Sequence, residues 1–118
     1  MDGRVQLPVI EYLQERFQAA YVDSVTAPAP NHILASQSES SEFTAIMAKI
    51  RISVNKHSSV GIAVVGHFDC AGFPAPRETQ RQETLAAIEL IREEFPGIPV
   101  LGLWVDSGSR VSEIEQPS

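Results

Sequence analysis

Residues 60–65 read Val-Gly-Ile-Ala-Val-Val, an apolar run with no polar residue to mark a wet face. A half-buried strand alternates apolar and polar residues, so a continuous run of this length predicts a strand covered on both sides, as in a parallel sheet. A second such run, Pro99-Val100-Leu101-Gly102-Leu103-Trp104-Val105, lies far enough downstream for a helical crossover between the two. That crossover is predicted over Arg77 to Phe95, where Leu85, Ile88, Ile91 and Phe95 line one side and Pro96-Gly97 stops the helix.

The rest of the chain is read around this pair. Val9, Leu13 and Phe17, with Ile10 beside them, predict a first helix over Pro8 to Ala20, with Pro8 in the first turn. Residues 20–25, AYVDSV, are a candidate strand. Pro28, Pro30 and the serines at 36, 38, 40 and 41 predict a loop, with His32 to Ala35 as a short strand inside it. Phe43, Ile46, Met47, Ile50 and Val54 form the apolar stripe of a second helix, which begins near Ser38 to Ser41, and Ser36 with Glu39 has capping-box spacing. Asp106 to Ser109 is a turn, and RVSEI returns as an edge strand, while Glu115 to Ser118 frays. Trp104 is expected in the core. The order predicts one α/β domain over 1–118, with a mainly parallel sheet flanked by helices.

Composition excludes several functions. A net charge of -6 disfavours nucleic acid and anionic membranes as partners. No apolar run reaches the roughly 20 residues that span a bilayer. A single cysteine forms no internal disulfide, and the first residues lack the pattern of a secretory signal, so a cytoplasmic location is expected.

Ligands of parallel sheets sit beyond the carboxyl ends of strands. There the 60–65 run continues into Gly66-His67-Phe68-Asp69-Cys70, with the chain's one cysteine three residues after a histidine. Imidazole and thiolate both suit zinc, and Gly66 permits a bend that would turn both towards one metal. A lone cysteine after a strand is also a common small buried residue. The 20–25 segment offers Asp23 and Ser24 at a second strand end. His32 and His57 read as surface histidines, although His32 could serve as an extra ligand or proton carrier.

VGIAVVGHFDCAG resembles the β-class carbonic anhydrases, in which a buried strand runs into G-H-x-x-C-G. PVLGLWVDSGSRVSEI is similar to that family's ending, and the resemblance covers most of the chain as a reduced form of the fold. It implies a zinc lyase that hydrates CO2 to bicarbonate, usually as a dimer or larger assembly; a homodimer is expected here. Two cysteines and a histidine hold zinc in that family. An aspartate and arginine in C-x-D-x-R form a pair in which the arginine keeps the aspartate off the metal. Carried over, His67 and Cys70 are two zinc ligands and Asp23 is the aspartate. Tyr21 and Val25 replace the cysteine and the arginine.

Two function classes follow from the resemblance. One is a carbonic-anhydrase-like protein with a degenerate zinc site. The other is an active zinc enzyme that uses Asp23 as third ligand and as the catalytic carboxylate. A third class, a Cys70 nucleophile assisted by His67, needs only the two residues themselves.

Overall fold

A computed structural model describes residues 2–36, 39–70 and 75–116. The two apolar runs pair as expected. Strand β1 (Ile62–His67) lies parallel to β2 (Val100–Val105), in a register that runs from Ile62 opposite Val100 to His67 opposite Val105. Helix α4 (Arg77–Glu94) is the crossover between them. Its inner face, Thr84, Ala87, Ile88 and Ile91, is buried. Beyond the turn at Asp106, β3 (Val111–Glu113) pairs antiparallel with β2, giving the sheet order β1-β2-β3.

The sheet is therefore mixed, with the longer β1–β2 pairing parallel, as expected, and the short β3 added as an antiparallel edge. The 20–25 strand does not form: residues 21–27 carry no regular secondary structure. A strand exists only through a neighbour's hydrogen bonds, and side chains occupy the outer edge of β1 where that neighbour would lie. Asn31 Nδ2 donates to the Val65 carbonyl at 2.8 Å, and the His67 N–H donates to Gln80 Oε1 at 3.3 Å.

Prolines account for two further departures. His32 to Ala35 is helical, within α2 (Pro30–Ser36). Pro30 occupies the first helical position, where its missing N–H costs nothing, and the Ala29 carbonyl accepts the first helical bond from Ile33 N at 3.2 Å. Helix α1 (Gly3–Phe17) starts earlier than the proline suggests. Asp2 caps it by accepting from Arg4 N at 2.9 Å, and Pro8 lies inside the helix at the loss of one bond to the Arg4 carbonyl. Gln18, in the left-handed conformation at φ 52°, ends it.

Helix α3 (Ser41–His57) is capped by Ser40, whose Oγ accepts from Phe43 N at 3.1 Å. The capping box expected from Ser36 is absent, because Ser36 belongs to α2. Ile46, Met47 and Ile50 of α3 join Ile33 and Leu34 of α2, and the buried face of α4, in one core. Trp104 is buried, with Arg77 stacked 5.2 Å from its ring. Ser38, the Ala71–Pro74 part of the post-strand loop and the last two residues lie outside the described residues.

Leu103, on the central strand, has no exposed surface. Leu103→Ala should cost about 2–5 kcal/mol, the range for emptying a buried leucine site. Urea denaturation checks this, with a lowered midpoint and an unchanged slope expected.

Candidate metal centre

The C-terminal end of β1 opens onto a cleft of about 1380 Å³. Its walls are the apolar side of α1 (Val5, Val9, Leu13, Phe17), the irregular segment after α1, and the β1 face that carries Ala63 and Val65. These two residues are only half-buried, so the cleft replaces the second covering layer expected for a doubly buried strand.

His67 and Cys70 both line this cleft. The His67 ring is 12% exposed, and Cys70 is buried with a free thiol. His67 Nδ1 lies 2.7 Å from the Phe68 carbonyl oxygen. A carbonyl can only accept, so Nδ1 carries the proton and the Nε2 lone pair is available to a ligand. Histidines that bind metals are commonly held this way, with the other ring N–H donated to a carbonyl or carboxylate.

The bend that brings Cys70 round is at Asp69 (φ 50°), a residue type that tolerates the left-handed region, and not at Gly66. Gly66 instead sits where packing is tight. A Cβ there would sit 3.2 Å from Thr84 Oγ1 and 3.4 Å from the Trp104 ring.

A carboxylate and a guanidinium that the sequence reading passed over stand beside His67. Asp2 Oδ2 is 4.0 Å from His67 Nδ1. Arg4 Nε donates to both Asp2 oxygens at 3.0 Å, and its NH2 group donates to Asp2 Oδ2 as well. Arg4 also reaches across the turn after β1. It donates to the Asp69 carbonyl at 3.2 Å and to Asp69 Oδ2 at 3.4 Å, and its Cζ lies 4.6 Å from the centre of the Phe68 ring. The hydrogen bonds from Arg4 hold the Asp2 carboxyl far below the usual carboxylate range, and Asp2 in turn raises Arg4. The signal was present as Asp2-Gly3-Arg4, which has D-x-R spacing ahead of a helical stripe.

The residues aligned to that motif lie elsewhere along the cleft. Asp23 Oδ2 accepts from Ser53 Oγ at 2.7 Å and is 2.6 Å from His57 Nδ1, so it fastens the segment after α1 to the end of α3. Tyr21 is 90% exposed, and Val25 packs on the core. His57 is thus Asp23's partner, and His32 Nδ1 is 3.3 Å from Glu83 Oε1. Among the described residues, no three of His, Cys, Asp and Glu are grouped so as to hold a metal ion. Nor is any described helix long and apolar enough to cross a membrane.

Hydrogen bonds from Ser53 first, and His57 second, lower the Asp23 carboxyl below its ordinary value. A depressed carboxyl stabilises the fold above its unfolded pKa and loses that contribution as pH falls through the folded one. Following the Asp23 carboxyl carbon by NMR titration should give a midpoint below 3.8, raised again in a Ser53→Ala variant.

A model of the family described as "Putative carbonic anhydrase" matches residues 1–115. No curated protein and no solved structure matches the chain.

Proposed function

Because the chain belongs to this carbonic-anhydrase-like family, we propose that it is a β-class-like member with a degenerate zinc site. His67 and Cys70 are the ligands it retains, and CO2 hydration falls to near the uncatalysed rate. The observation that carries this reading is the donor set. His67 presents a free Nε2, Cys70 lines the same cleft, and no third donor joins them among the described residues. Catalytic zinc takes three protein ligands and a water, so the residues present fit the metal only in part.

Zinc, when bound, would supply a Lewis acid that lowers the pKa of a coordinated water to about 7. The chain's own residues supply the surroundings. Arg4 keeps Asp2 ionised and turned to itself, the Phe68 carbonyl fixes the His67 ring, and the apolar walls of the cleft suit a substrate as poor in hydrogen bonds as CO2. The same reading carries the cytoplasmic location and the homodimer expected from the sequence.

A second reading, an active enzyme interconverting CO2 and bicarbonate, is favoured by one observation. Asp2 lines the same cleft as His67 and Cys70, although its Oδ2 stands 4.0 Å from the protonated Nδ1 of His67 and would have to move to the Nε2 side to become a third ligand. Asp23, the third ligand proposed from the sequence, would first have to leave Ser53 and His57.

Zinc per chain on protein purified without added metal, together with stopped-flow CO2 hydration, separates the two. The degenerate site predicts substoichiometric zinc that a chelator strips readily, its loss in Cys70→Ser, and hydration at the background rate. Stoichiometric zinc with hydration abolished by Cys70→Ser would overturn it in favour of the active enzyme. Asp2→Asn and Asp23→Asn then identify the third ligand by which of them releases the metal.

A further inference from the structure

Parallel pairing fixes which groups of β1 face outward. Ile62 N donates to the Pro99 carbonyl at 2.9 Å and Phe68 N to the Val105 carbonyl at 3.1 Å, so the even-numbered residues bond to β2. The alternation of a parallel strand then turns the Val65 carbonyl and the His67 N–H to the open edge. Each is met by a side chain.

Asn31 Nδ2, from α2, donates to the Val65 carbonyl and also to Thr84 Oγ1 at 2.9 Å. Gln80 Oε1, from α4, accepts from His67 N, and Gln80 Nε2 donates to the Ala75 carbonyl at 3.3 Å. Thr84 Oγ1 closes the network by donating to the Gln80 carbonyl at 2.8 Å. Gln80 and Thr84 are the two buried polar residues of the described chain, and neither has a buried side-chain N or O atom lacking a partner. Burying an amide and a hydroxyl is costly unless they are satisfied, so this network has a specific use for the place it occupies.

We propose that Gln80 is a positioning residue for the H-x-x-C site. It acts through the backbone. By bonding the His67 N–H it fixes the strand end from which the imidazole projects, and by bonding Ala75 it ties the far side of the post-strand loop to the same helix. The inference rests on the reading above that His67 is a ligand. It adds the residue that sets where that ligand stands.

Three measurements test it. In the wild-type chain, amide hydrogen exchange at His67 should be as slow as at the strand residues bonded to β2; exchange at the rate of an open loop would overturn the proposal without any variant. Long-range proton–nitrogen NMR should show the Nδ1–H tautomer of His67 in the wild type and a mixture in Gln80→Met. Gln80→Glu, which keeps an acceptor oxygen for the His67 N–H, should recover the single tautomer. A merely structural glutamine would lower stability in Gln80→Met but leave the tautomer of the folded population unchanged, and that result would also overturn the proposal. Zinc titration of the same proteins should show affinity about 10- to 100-fold weaker in Gln80→Met, the usual effect of losing a group that orients a metal ligand. If the wild type itself binds no zinc, the functional reading fails, and the exchange and tautomer results still decide whether Gln80 positions His67.

Discussion

Among the described residues β1 has a neighbouring strand on one side only, and most of what is distinctive in this chain follows from that. An edge strand must satisfy its outward N–H and C=O groups by some means other than a ladder. At the site end of β1 the means are Asn31 and Gln80, which come from two different helices and are joined through Thr84. The same bonds hold α2 and α4 against the strand from which His67 projects. Farther back along the edge the covering is looser. There the strand's half-buried residues face a cleft that α1 and the irregular segment after it roof over.

The constraint explains which parts of the fold were legible in the sequence. The two apolar runs, the crossover helix and the returning edge strand announce themselves by local pattern, and each formed close to its expected place. The segment 20–25 has the composition of a strand, but composition cannot supply a partner, and the edge it would need is taken by side chains distant in sequence. The prolines misled for a related reason. Pro30 reads as a helix breaker and Pro8 as a helix start, whereas a proline's effect depends on its place in the helix, and that place was set by the Ala29 carbonyl in one case and by the Asp2 cap in the other.

The site was half legible. His67 and Cys70 are three residues apart in sequence and both line the cleft, with one turn at Asp69 between them. The aspartate–arginine pair was sought at 21–25, after the first helix, by analogy with a strand end. The structure instead has an aspartate and an arginine beside His67 at the start of that helix, where Asp2 serves both as N-cap and as partner of Arg4. Asp23 stabilises the roof of the cleft instead, through a hydroxyl and an imidazole from α3.

Arg4 decides how Asp2 can be used. It is bonded to the Asp2 carboxylate through several N–H groups and at the same time to the carbonyl and carboxylate of Asp69. Charge-assisted bonds of this kind are among the stronger polar contacts, and a metal would have to outcompete them to claim Asp2. The competition is not against a guanidinium with nowhere to go, however. Asp69 is on the turn between His67 and Cys70, so Arg4 released by Asp2 would keep an acidic partner on the very segment that carries the two candidate ligands. The cost of recruiting Asp2 is thus the loss of one of Arg4's two carboxylate partners, not the exposure of an unpaired charge. Asp2 faces the protonated Nδ1 of His67, so that loss alone would not bring it to the Nε2 side, where a metal would bind.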